Sequence, residues 1–261
     1  MATLVKYPDP NPESSSVDGY VYKADDSSWS TTRSEPDAQG FSDTGGAALS
    51  AVGRTAGGNY IIYRGINVLD TSTLDDTGTP SISAAVWSVT SSGNYEQCQE
   101  TSHTCSNFDH VVMISCDTLE SPDDTAIAVG DYNASLTDLA NPIEVSDRIE
   151  NSVSGAKNFT FSDPTGLASI AVNGKTRFMA REGHDVDDAT FVHSGGGSSE
   201  FEGDGHRNAE METEGLRPYL TVTYTISTSD IQAVNGIALA SIQTVNGITA
   251  ANGEAINGVD F

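Results

Sequence analysis

Tyr219-Leu-Thr-Val-Thr-Tyr-Thr-Ile226 alternates apolar and polar residues without a break. Successive side chains of a strand point to opposite faces, so Leu220, Val222 and Tyr224 share one face and Thr221, Thr223 and Thr225 the other. The stretch therefore reads as a β-strand with Leu220 and Val222 in the core. Beyond it the chain repeats every eleven residues: Ile231-Gln-Ala-Val-Asn-Gly-Ile, Ile242-Gln-Thr-Val-Asn-Gly-Ile, then Gly253-Glu-Ala-Ile-Asn-Gly-Val. An odd period cannot be one long strand, because equivalent residues would face opposite ways in successive repeats. A helix of the same period would carry a Gly and an Asn in each repeat, at well over ~1 kcal/mol. Each repeat must turn instead, and Asn235-Gly236, Asn246-Gly247 and Asn257-Gly258 tolerate the positive φ of a type I′ hairpin.

Hairpins with arms of a few residues are marginal alone in water. The tail offers Ile231, Val234, Ile237, Leu239, Ile242, Val245, Ile248, Ile256, Val259 and Phe261, and no Lys or Arg follows Arg217 to guard its edges. These residues are expected to be covered, either between copies of the chain as an oligomerisation surface or by folding back on one monomer.

Upstream, from Ser14 to Ile226, short apolar segments alternate with Gly, Ser, Asp and Pro, the signature of an all-β sandwich or barrel. Strands are expected at Tyr20–Lys23, Tyr60–Leu69, Ile82–Thr90, His110–Cys116, Thr125–Val129, Asn158–Ser162, Thr176–Arg181, Thr190–His193 and Tyr219–Ile226. One short helix is expected from Thr165, with Leu167, Ile170 and Ala171 on one face. In Tyr60–Leu69 the parity that holds Ile62, Ile66 and Val68 also holds Arg64. An inward arginine needs a carboxylate or carbonyl partner, because an unpaired buried charge is too costly. The chain divides into an extended arm (residues 1–13, with Pro8, Pro10 and Pro12), a β-body (14–226), a linker (227–230) and the repeats (231–261). Ser91 to Asn107 and Gly195 to Gly215 read as exposed loop inserts.

The 37 acidic residues against 12 basic give a formal charge of −25. A surface of that sign argues against nucleic acid and anionic membranes as partners. No stretch approaches the ~20 apolar residues of a membrane-spanning helix. The first ten residues lack the apolar centre of a secretory signal, which favours synthesis in a cytosol and release by lysis. Of the three cysteines, Cys98 and Cys105 flank a short polar loop where a disulfide is plausible in an oxidising medium, and Cys116 reads as a buried free thiol. Cys98, His103, Cys105 and His110 fit no common zinc spacing.

Asp185, Asp187 and Asp188 place three oxygen donors within four residues and are the candidate calcium site, against a solvated turn; no other cofactor is implied. Asp123-Asp124, Asp75-Asp76 and Asp25-Asp26 are weaker. His184, His193 and His206 lack metal-ligand spacing and read as surface or loop histidines. No nucleophile with its base, metal trio or positioned acid pair is visible, so the chain reads as no enzyme. For sugar binding, Trp29 in a polar loop and Tyr95 are the exposed aromatic candidates, whereas Trp87 belongs to a strand and the core.

Tyr63-Arg-Gly-Ile-Asn-Val-Leu-Asp-Thr-Ser-Thr-Leu followed by Ile82-Ser-Ala-Ala-Val-Trp-Ser-Val resembles the hallmark of DNRLRE-type jelly-roll domains. Gly130-Asp-Tyr, Arg177-Phe-Met-Ala-Arg-Glu-Gly-His-Asp-Val-Asp-Asp, Arg217-Pro-Tyr-Leu-Thr-Val-Thr-Tyr and the tail repeats are similar to versions found in phage virion proteins. The resemblance spans about Asp18 to Phe261 and implies a jelly-roll β-sandwich with a structural or adhesive role. On that reading the chain is a virion surface protein, a capsid decoration or fibre-like appendage, associating as a trimer and with other virion proteins. The alternatives are an extracellular carbohydrate-binding adhesin and a filament subunit.

Overall fold

The computed structural model describes residues 1–45, 48–74, 79–94, 110–133, 142–150, 155–161, 163–192, 199–210 and 214–227, with four two-residue strands in the tail. The body contains β1 (Ala2–Lys6), β2 (Val17–Asp26), α1 (Trp29–Ser34), β3 (Gly40–Ser42), β4 (Ala48–Arg54), β5 (Tyr60–Asp70), β6 (Thr79–Asn94) and β7 (His110–Ser115). Then come β8 (Ile149–Glu150), β9 (Ala156–Phe161), α2 (Pro164–Ala168), β10 (Lys175–Glu182), α3 (Gly183–Asp187), β11 (Glu200–His206) and β12 (Tyr219–Ser227). All twelve strands join one antiparallel network, and the fold is all-β and sandwich-like.

The length of β6 explains how one network makes two layers. Its first part lies between β12 and β9, with Trp87 opposite both Leu220 and Phe159. Its end continues alongside β11, with Ser91 opposite His206. One layer is thus β1-β12-β6-β9, and the other is built around β5, which pairs with β2, β4 and β10. Trp87, Phe159, Phe161, Leu220 and Val222 from the first layer meet Phe178, Met113 and Ala180 from the second. Phe178 is edge-on to Trp87 at 5.0 Å and to Phe161 at 5.5 Å. The alternation of Tyr219–Ile226 holds, since Leu220 and Val222 are fully buried.

A further cover lies over the opposite face of β5. Val21, Ile62, Ile66, Val68 and Met179 pack under Trp29 of α1 and under Leu119, Ile127 and Tyr132. Burial on both faces is why β5 reads as a nearly continuous apolar run rather than an alternating one. Thr125–Val129, expected as a strand, belongs to this cover. There the two oxygens of Asp131 accept from Glu120 N at 2.6 Å and Ala128 N at 2.7 Å, holding loop geometry that competes with a ladder. Thr190–Val192 likewise forms no ladder, and Phe191 plugs the same core. The expected helix after Thr165 is α2, with Ile170 buried just beyond it.

Three further features differ from the sequence reading. The start of the arm is β1, whose Ala2 to Lys6 pair with Tyr224 to Leu220 and protect the edge of β12. The short helices α1 and α3 carry too few residues for a helical period to be visible. The Gly195–Gly215 insert is not one exposed loop, because β11 runs through it with residues 202–206 buried. Gly203 makes that possible: at φ +146° its missing Cβ would lie 2.4 Å from Ala51 Cα. Gly203→Ala is therefore expected to lower stability by more than about 2 kcal/mol in urea unfolding, combining backbone strain with overlap.

In the tail, Ala233–Val234 (β13) pairs with Ile237–Ala238 (β14), and Thr244–Val245 (β15) with Ile248–Thr249 (β16). Val234 faces Ile237 and Val245 faces Ile248, so only the expected Asn-Gly pair lies between each pair of partners. The third repeat, and with it Ile256, Val259 and Phe261, lies outside the described residues, as do Ile231, Leu239, Ile242, Tyr95, Cys98, Cys105 and His193.

Candidate functional site

Arg64 does face inward and does find its carboxylate. Its Nε and Nη2 donate to Asp185 Oδ2 and Oδ1, both at 2.8 Å, a two-pronged pairing that fixes the guanidinium plane. Nη1 donates to the Tyr132 and Asn133 oxygens, and Nη2 also to Arg33 O. The Tyr132 ring lies 4.0 Å beneath the guanidinium carbon. Arg181, one turn before Asp185, grips the same two carboxylate oxygens at 2.7 and 2.8 Å. Arg33 Nε donates to the Asp185 carbonyl at 2.8 Å. One aspartate, through its carboxylate and its carbonyl, thus knits β5, β10, α1 and α3. Burial alone would raise the Asp185 carboxyl, but the Arg181 and Arg64 charges and hydrogen bonds override it and hold the group below the usual carboxylate range.

This arrangement corrects the calcium reading of Asp185, Asp187 and Asp188. Successive residues of a short helix point apart, and each of the three turns to a different donor. Asp185 serves the arginines. Asp187 accepts twice from Arg148 at 2.8 Å, while Arg148 also holds Glu144. Asp188, in the left-handed region at φ 52°, accepts from Trp29 Nε1 at 3.2 Å. Trp29 is consequently no exposed platform: only 6% of it is accessible, and it sits edge-on to Tyr60. The polar residues around it in sequence are those of a helix start, with Ser28 as cap. Trp87 is core, as expected. Cys116 is a free thiol that is only partly shielded at the residue level, and burial pushes its thiol up.

A second buried polar group went unseen in the sequence. Glu202, Asp204 and His206 alternate along β11 with Gly203 and Gly205, and the segment hides in sequence because its buried side chains are all polar. Asp204 pairs with Lys157 Nζ at 2.9 Å and accepts from Ser91 Oγ at 2.7 Å. Glu202 meets His184 and Glu182 from the start of α3. His184 and His206 are thus interior rather than surface residues, and burial lowers His206 to about 4, leaving a neutral ring at pH 7.

On β2 and β5, three half-buried tyrosines make a strip across the strands. Tyr22 stacks on Tyr63 at 5.3 Å, and Tyr20 meets Tyr63 edge-on at 5.7 Å. Farther along β2, Asp18 is fully buried and accepts from Ala209 N at 3.0 Å. Burial, followed by the Glu210 and Glu13 charges, raises its carboxyl well above the ordinary range. The folded chain then holds a proton that the unfolded chain releases, so this contribution is full below the unfolded pKa near 3.9 and is lost as pH rises through the folded value. Asp18→Asn mimics the protonated acid. It should melt about 2–4 °C above the parent at pH 7, the shift made by 1 kcal/mol in a chain of this size, with the difference vanishing near pH 3.

The chain matches no family model, and no curated protein matches it.

Proposed function

We propose that the chain is a structural protein of a phage particle, a β-sandwich body displayed on the surface and assembled through its C-terminal repeats. The observation that carries this reading is the pair of tail hairpins. Each has strands of two residues, and among the described residues each pairs only with itself. Hairpins this short do not hold in water unaided, so equivalent apolar residues presented every eleven positions gain most by packing against copies. The body supports the same role. A core knotted by Asp185 and its arginines is suited to holding shape, and a charge of −25 keeps copies soluble at high density. In this reading the chain forms a trimer, sits with other virion proteins and is released with the particle on lysis. Antibody against the body should label intact particles in electron micrographs; particles that contain the chain but label only after disruption would contradict the display role.

A second reading, sugar binding by an adhesin, is favoured by the Tyr20–Tyr63–Tyr22 strip, since sugar faces stack on half-exposed rings. It replaces Trp29 as the candidate platform. Tyr63→Ala should then lower affinity for any glycan found on an array at least about tenfold, or 1.4 kcal/mol; unchanged binding would remove the strip from consideration.

A further inference from the structure

We propose that Glu182, His184 and Glu202 form a binding site for a divalent transition-metal ion of the zinc and cobalt class. Glu182 ends β10, His184 stands in the following turn of α3, and Glu202 lies on β11. One donor atom from each lies within 4.8 Å of the other two. His184 Nδ1 is 2.8 Å from Glu182 Oε1 and 3.8 Å from Glu202 Oε2. A tetrahedral ion with bonds of about 2.0–2.1 Å separates its ligands by about 3.4 Å. That value lies between the two distances from the His184 nitrogen.

The charge balance points the same way. Accessibility is 0% for Glu182, 8% for His184 and 1% for Glu202. Two carboxylates and an imidazole are held together out of water, and a divalent ion bound among them would neutralise both carboxylates. The nitrogen donor sets the class, because calcium takes oxygen ligands while imidazole with carboxylates suits zinc.

The ion would fasten two limbs of the sheet. β10 and β4 both pair with β5, at different ends, and β11 follows β4. Glu182 also caps α3 through Oε2, at 2.8 Å from His184 N, and the His184 ring packs edge-on against Phe191. A metal there would tie β10 and α3 to β11, two strands that are not hydrogen-bonded to each other.

The test uses the full-length chain, stripped with a chelator and titrated with Co2+ and Zn2+. The expected result is one bound equivalent, a visible Co2+ absorption band, a higher Tm with metal than with chelator, and no equivalent response to Ca2+. Glu202→Gln and His184→Gln should each weaken that equivalent more than about 100-fold, beyond the usual effect of outer-shell changes, with far-UV circular dichroism unchanged. An equivalent that persists in both variants overturns the assignment. If neither variant folds, the parent chain decides: no bound equivalent and no metal-dependent Tm overturns it.

Discussion

Asp185→Asn is expected to destabilise the body by about 3–5 kcal/mol in urea unfolding at pH 7, the usual consequence of removing one partner from a buried ion pair. The side chain keeps its shape and one accepting oxygen, but its amide nitrogen must face a guanidinium, and Arg64 and Arg181 are both fully buried. Arg33 adds a third guanidinium, 3.5 Å from Asp185 Oδ1. The pH dependence has a definite sign. A carboxyl whose folded pKa is depressed contributes stability that is present above its unfolded value near 3.9 and is lost as pH falls toward the folded value. The gap between parent and variant should therefore be widest at neutral pH and narrow below about pH 4. Combining Asp185→Asn with Arg64→Met should cost less than the two single changes summed, because the second change removes a stranded charge. Strict additivity would mean that the pair does not act as a unit.

Deleting residues 229–261 is expected to reduce the protein to single chains while leaving the body folded. The body has its own hydrogen-bonded network, an aromatic core and a second apolar layer, none of which draws on the described tail strands. The tail strands, in contrast, have no described partner outside their own hairpins. Circular dichroism and urea unfolding should match the parent body, and the mass should fall. Two copies at −25 each repel, so the intact assembly should tighten as salt rises from 20 to 150 mM, the opposite of a contact made by paired charges. A truncated chain that keeps the parent mass would place the contacts in the body.

The parts of this fold that were legible in sequence are those whose burial is apolar. Tyr219–Ile226, Tyr60–Leu69 and Ile82–Thr90 announce themselves by alternation or by a continuous apolar run, and Arg64 betrays a partner by its parity. The partner itself could not be named, because Asp185 lies 121 residues away. The same distance in sequence hides β11. Its Asp204 is paired with Lys157 and accepts from Ser91, residues of two other strands, so a segment of Glu, Gly, Asp and His looks solvated until those strands are beside it. Trp29 is not an exposed ring for a related reason: the polar residues around it cap a helix, and its indole nitrogen donates to Asp188, 159 residues away in the chain. The candidate metal group was invisible because Glu182 and Glu202 lie on β10 and β11, strands that β4 and β5 separate in the sheet.

Static light scattering of the full-length chain at two protein concentrations tests assembly most directly. A mass three times the 27.4 kDa of one chain, unchanged between the two concentrations, is the predicted result for a closed trimer. A mass of one chain at both would contradict assembly through the tail.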